Sequence, residues 1–183
     1  MSALHNPPAV FIFVGHSGSG KTTLIEKLLR ELSGRGLRVA TIKHAHHKVA
    51  LDTPGKDSWR YKQAGAAMSM LVTSNELQLV ADAVERREPE QLTQRFLGEA
   101  DLVLAEGFSH AQGVKIEVLR RELGAVPRCT VDDGLIAMVT DVEEVYPQLP
   151  HFALDDINKL VEFILEFTLH SNSISKVKQG GDE

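Results

Sequence analysis

The chain has 183 residues, 43% apolar and 25% charged, a globular composition with enough apolar side chains for one ordinary core. Its 20 Lys plus Arg stand against 25 Asp plus Glu, and the resulting formal charge of −5 argues against a general nucleic-acid binder. The single cysteine, Cys129, excludes an intrachain disulfide and a Cys-rich zinc site.

No apolar run reaches the roughly 18 residues that cross a bilayer. The expectation is a cytoplasmic protein that uses no membrane. The predicted organisation is a lead-in over 1–9, one domain over 10–170 and a polar tail over 171–183. Val10 to Val14 is a short, continuous apolar run, the mark of a strand buried on both faces. A Gly/Ser-rich turn follows. From Lys21 to about Leu32, the residues Leu24, Ile25, Leu28, Leu29 and Leu32 share one face, which predicts an amphipathic helix. Glu26/Arg30 and Lys27/Glu31 are spaced for ion pairs on its wet side. Val39 to Lys43 is a second buried strand, so strand, helix and strand form a βαβ unit with parallel strands.

Residues 44–57 read as a polar loop. Ser58 to Gln63 reads as a short helix with Asp57 as its N-cap. Trp59 and Tyr61 read as partial core. Met68 to Val72 and Leu77 to Ala81 predict a hairpin within about 66–82. Pro89 to Leu97 suits a helix. Asp101 to Ala105, Val114 to Leu119 and Leu135 to Val139 are strand-like. The last helix is predicted from about Asp156 to His170. The fold class is α/β, a three-layer sandwich with a mostly parallel sheet and a hairpin insertion.

Gly15-His16-Ser17-Gly18-Ser19-Gly20-Lys21-Thr22 fits G-x-x-x-x-G-K-[ST] without a mismatch, between a buried strand and an amphipathic helix. Glycines let successive N–H groups turn inward on phosphate oxygens, and the helix start adds positive charge. The expected phosphate-binding residues are Gly15, Ser17, Gly18, Ser19, Gly20, Lys21, Thr22 and Thr23. Lys21 should reach the β- and γ-phosphates, and the Thr22 hydroxyl is a candidate Mg²⁺ ligand. Glu106, at the C-terminal edge of an apolar strand, is a second candidate metal ligand; the alternative is a turn cap with Gly107. Asp52 is a third, and with Lys21 a candidate catalytic group; the alternative is a solvated Pro-Gly turn. Asp141, after the Leu135 to Val139 strand, is a candidate acceptor for a nucleobase; the alternative is a turn cap. His44, His46 and His47 crowd one short segment. They fit a phosphate or anionic pterin contact, a metal, or plain loop hydrogen bonds.

Taken in order, Gly15 to Thr23, Thr41-Ile42-Lys43-His44-x-His46-His47, Asp52-x-Pro54-Gly55-Lys56-Asp57-Ser58, Ala64-Gly65-Ala66 and Asp101-Leu102-Val103-Leu104-x-Glu106-Gly107-Phe108 resemble the MobB family of molybdopterin-guanine dinucleotide biosynthesis adapter proteins. The resemblance spans about residues 10 to 168. It implies a P-loop fold that binds GTP and Mg²⁺, at most a slow GTPase, and a homodimer. It also implies two partners: molybdopterin, and the guanylyltransferase that joins GMP to the molybdenum cofactor. It supports Thr22 and Glu106 as Mg²⁺ ligands and Asp52 as a switch-loop acid. In the family a basic residue often follows Glu-Gly-Phe; here Ser109 follows, with His110 as a substitute. No Asn-Lys-x-Asp guanine motif is present. The alternative function is a P-loop small-molecule kinase or ligase, with Arg86, Arg87 and Arg95 as lid arginines.

Overall fold

The computed structural model describes residues 7–45, 49–83, 88–124, 126–142 and 144–179, with side chains through 170. In chain order the elements are β1 (Ala9–Val14), α1 (Lys21–Gly34), β2 (Val39–Lys43), α2 (Asp57–Gln63), β3 (Met68–Val72), β4 (Leu77–Ala81), α3 (Pro89–Phe96), β5 (Leu102–Glu106), β6 (Val114–Leu119), β7 (Leu135–Thr140), β8 (His151–Phe152) and α4 (Ile157–Gln179). The chain divides into two compact units: residues 1–44 together with 88–183, and residues 45–87.

The larger unit is built on a six-stranded sheet in the order β2-β5-β1-β6-β7-β8. Every neighbouring pair runs parallel. Such a sheet needs cover on both faces, which is why its strands read as continuous apolar runs. On one face Phe11, Phe13, Leu104, Ile116 and Val118 pack with Leu24, Leu28 and Leu32 of α1 and Leu160, Val161 and Ile164 of α4. Each such side chain contributes roughly 1.5–3 kcal/mol of burial. On the other face Val10, Ile12, Val14, Val103 and Ala105 pack with Ala111, Cys129 and Leu97, the residue that closes α3. The α/β fold with a mostly parallel sheet is therefore present, and all six strands share one direction.

The strand order positions the site. From central β1 the chain first goes to one side, through β2 and β5, and then to the other, through β6 and β7. The reversal falls at the C-terminal end of β1, where the open crevice of such sheets lies.

The smaller unit holds α2 and the antiparallel β3–β4 hairpin, with Met68 opposite Ala81 and Val72 opposite Leu77. Lys62 ties α2 to the hairpin base through the carbonyls of Ala66 and Ala67 and the carboxylate of Asp82. Trp59 is half-buried, while Tyr61 is 62% exposed and not core.

Several boundaries differ from the sequence expectation. Asp57 is the first helical residue of α2, and Lys56 takes the cap position. Strand β5 starts after Asp101, whose carboxylate accepts the Arg38 N–H, and it includes Glu106. The last helix passes His170 and runs to Gln179, the last described residue. Of the predicted ion pairs on α1, Glu26–Arg30 forms, whereas Lys27 turns to Asp155 and Glu31 to Arg35.

Candidate functional site

Strand β1, buried from Val10 to Val14, delivers the chain into the loop 15–20. Gly15 has φ +140°, and a Cβ there would stand 2.3 Å from the Val118 carbonyl oxygen of β6. Only glycine lets the loop start this close to the sheet. The Ser19 N–H bonds back to the His16 carbonyl, and left-handed Gly20 leads into α1 with no side-chain cap. The helix thus opens with unsatisfied N–H groups facing the loop, an arrangement that favours an anion. The Lys21 ammonium lies along the loop, donating to the carbonyls of Gly15 at 2.9 Å and His16 at 2.7 Å. Burial holds its pKa below the ordinary lysine value; Glu106 opposes this, while Arg128 and Lys43 add to it by repulsion.

The Thr22 hydroxyl donates to both carboxylate oxygens of Glu106, at 3.1 and 3.0 Å. The two groups come from different elements, 84 residues apart in sequence. Glu106 ends β5, which pairs with β1 so that Phe13 faces Glu106. Lys43, at the end of β2, approaches Glu106 at 3.3 Å and Thr22 at 3.4 Å. Gly107 has φ +93°, and a Cβ there would lie 2.9 Å from the His44 carbonyl oxygen. Glu106 is therefore held at the end of its strand with its side chain only 15% exposed. Hydroxyl and carboxylate oxygens side by side fit a hard divalent cation that takes its remaining oxygens from phosphate and water. Among the described residues no three His, Cys, Asp or Glu gather as a metal site.

The other predicted residues are placed as follows. The His44 N–H extends the β2–β5 ladder to the Glu106 carbonyl, and its ring packs 5.2 Å from Phe108. His46 and His47 lie outside the described residues, as do Arg86 and Arg87. Arg95 sits over the Phe96 ring at 5.2 Å, not over a phosphate site. Asp52 belongs to the smaller unit; its Oδ1 accepts the Thr53 N–H, and its buried Oδ2 has no partner among the described residues. Asp141 follows β7 at the same sheet edge as the loop, and its Oδ1 accepts the Arg121 N–H at 2.8 Å. The turn after β7 is capped by Thr140 instead, whose hydroxyl accepts the Val142 N–H.

Arg120, Glu117, Arg128 and His16, all around the loop, have no role in the sequence reading. Arg120, just after β6, brings its guanidinium within 3.9 Å of a Cβ position on Gly20 and pairs with Glu122. Glu117 is fully buried on β6, opposite Val14. It accepts the N–H groups of Arg128 at 2.6 Å and Cys129 at 3.1 Å. Burial pushes its carboxyl above the usual range, and those two N–H groups work against the shift. His16, a variable position of the motif, bonds through Nε2 to the Val126 carbonyl at 3.0 Å. The hint in the sequence is Glu117 itself, an acid that with Lys115 alternates with apolar residues along β6.

The family model for molybdopterin guanine dinucleotide synthesis protein B matches residues 10–141. The molybdopterin-guanine dinucleotide biosynthesis adapter protein of Haemophilus influenzae is 36% identical over 170 residues, covering 91% of this chain and 93% of its own length. The Escherichia coli adapter protein of the same name is 34% identical over 167 residues, with 87% and 93% covered. Among solved structures, the crystal structure of Bacillus subtilis MobB superposes with a TM-score of 0.65 at 31% identity, over 87% of this chain and 96% of that one.

Proposed function

The chain belongs to the molybdopterin guanine dinucleotide synthesis protein B family, and from that premise we propose that it is a GTP-binding adapter in molybdopterin guanine dinucleotide biosynthesis. In this reading it assists the guanylyltransferase that attaches GMP to molybdopterin. It is at most a slow GTPase, and it works as a cytoplasmic homodimer. The observation that carries the nucleotide part is the convergence of Lys21, Thr22 and Glu106 at one loop, on three separately positioned atoms.

The chemistry assigned to each residue follows from its position. Loop N–H groups from 15 to 23 cradle phosphate oxygens. The Lys21 ammonium exchanges its two carbonyl partners for phosphate oxygens, a gain because both new partners are anionic. Thr22 and Glu106 would hold Mg²⁺, which would supply positive charge against the phosphates. Asp52, with one orphaned buried oxygen, remains the candidate acid for the switch loop. Asp141 is the candidate base reader. His44, His46 and His47 are the candidate pterin or partner contact. The hairpin Met68 to Ala81 is the candidate surface between two copies, since Met68, Met70, Val72 and Leu77 are each more than half exposed.

Calorimetric titration of GTP and ATP, each with and without Mg²⁺, tests the nucleotide part. The expected result is Mg²⁺-dependent binding with GTP preferred. A GMP-transfer assay with guanylyltransferase and molybdopterin tests the adapter part. The chain should raise the yield of dinucleotide, and no effect at saturating chain would reject that role.

A further inference from the structure

We propose that Arg128 is a phosphate-contacting residue of the nucleotide site, and that buried Glu117 is the positioning residue that aims it. This deepens the nucleotide-binding reading and rests on it.

The segment that carries Arg128 lies far from the motif in sequence, yet it is fastened to the phosphate loop at two points. His16, inside the loop, holds the Val126 carbonyl. Glu117 holds the N–H groups of Arg128 and Cys129. Glu117 stands opposite Val14, the last residue before Gly15, so this anchor is beside the root of the loop. A carboxylate with no exposed surface is costly to bury, and here it serves two backbone N–H groups of one segment. The anchor fixes the backbone of Arg128 while leaving its side chain exposed.

The charge around the loop gives the exposed guanidinium its target. Arg128 and Lys43 each repel the Lys21 charge at the loop, and Glu106 and buried Glu117 are the carboxylates opposing them there. Arg120 stands by Glu122, its Nε 3.2 Å from the carboxylate without a hydrogen bond. The Arg128 guanidinium has no hydrogen bond or ion pair among the described residues. Two cations held near each other on fixed backbone repel, and an anion that touches both relieves the repulsion. A polyphosphate on the loop would be that anion, since Lys21 already lies along the loop. A guanidinium adds a planar pair of donors suited to phosphate oxygens.

The test uses the full chain with Mg²⁺, GTP and inorganic tripolyphosphate as probes. Arg128→Ala should weaken both by about tenfold at an unchanged melting temperature, because the contact is to phosphate and not to the nucleoside. Arg128→Lys should recover part of that loss. Glu117→Gln should weaken both probes as well, and Glu117→Gln combined with Arg128→Ala should bind no worse than Arg128→Ala alone, the signature of one residue acting through the other. Unchanged affinity in Arg128→Ala, or a loss for GTP without one for tripolyphosphate, overturns the phosphate contact. Additive losses overturn the positioning role. A parent chain that binds neither probe overturns the nucleotide reading itself, an outcome distinct from a parent that binds and a variant that matches it.

Discussion

In the sheet unit, Phe11, Ile12, Phe13 and Ile116 are at most 1% exposed, whereas in the hairpin Met70, Val72 and Leu77 are 58%, 68% and 63% exposed. Both regions are apolar strands by sequence. The difference is cover: helices and loops pack on both faces of the central strands of the six-stranded sheet, whereas these hairpin side chains stay exposed. A sheet with covered faces leaves its strand ends as the open surface, and there the loop, Glu106 and Asp141 collect. A two-stranded hairpin leaves its faces open, and it is marginally stable alone. The proposed contacts of Lys21, Thr22 and Glu106 and the proposed association thereby fall to different units, and each proposal can be broken separately.

The largest expected effect is on association. Val72 and Leu77 face each other across the hairpin. Val72→Asp combined with Leu77→Asp would place two carboxylates in the contact between copies. Unpaired buried charge should cost about 4 kcal/mol or more, about a thousandfold in dimer affinity. Light scattering at roughly tens of micromolar, a range where dimers of ordinary affinity persist, should read twice the 20.1 kDa chain mass for the parent and the chain mass for the variant. GTP affinity should stay the same. A parent that already scatters as a single chain removes the association half of the comparison.

Next in size is Lys21→Ala. The ammonium makes charge-assisted contacts worth roughly 1.5–3 kcal/mol, so GTP binding should weaken about tenfold or more. The mass should remain that of the parent. Unchanged affinity in a folded variant removes Lys21 from the site. Glu106→Gln keeps the shape and removes the charge. Most of the Mg²⁺-dependent tightening should vanish, while metal-free binding should change less than about threefold. Titration at several Mg²⁺ concentrations checks this, and equal Mg²⁺ dependence in parent and variant excludes Glu106 as a ligand.

What was legible in the sequence follows the same division. Strands β1, β5 and β7 announced themselves as apolar runs, whereas β2, expected to be buried, is an edge strand with Thr41 and Lys43 exposed; the loop carries a motif whose residue types the chemistry dictates. The strand β8 was invisible because His151–Phe152 is too short for any periodicity. The Lys27–Glu31 pair expected on α1 does not form because helical spacing counts neighbours on one helix only, and Lys27 instead meets Asp155 from across the fold, whereas Glu26–Arg30 forms as spaced. Arg128 and Glu117 were missed for a similar reason. Their meeting depends on a return of the chain to β6 that no local pattern encodes. Alternation of Lys115 and Glu117 with apolar residues would ordinarily mark a solvent face, yet both are buried.

The smallest expected effect concerns the base, and the structure lowers its size. Guanine offers two adjacent donors, N1–H and N2–H₂, which a carboxylate accepts together. Adenine offers an acceptor at N1 and would be repelled, so Asp141 can both attract and reject. Asp141 is not free for this alone, because its Oδ1 already accepts the Arg121 N–H. Its second oxygen, with the remaining lone pair of the first, must serve the base. The preference should then be closer to one ordinary hydrogen bond than to a full charge-assisted pair, about 1 kcal/mol or roughly fivefold. In Asp141→Asn the amide oxygen can keep the Arg121 bond, so the fold should persist, while the amide nitrogen now donates towards the base. GTP should weaken by that factor, and xanthosine triphosphate should gain, since its C2 carbonyl accepts where guanine donates. Competition of GTP, ATP and xanthosine triphosphate against a fluorescent analogue measures all three ratios. If they are the same in parent and variant, Asp141 is only the cap of the turn at Arg121. The base-reading group then lies elsewhere along the C-terminal edge of the sheet.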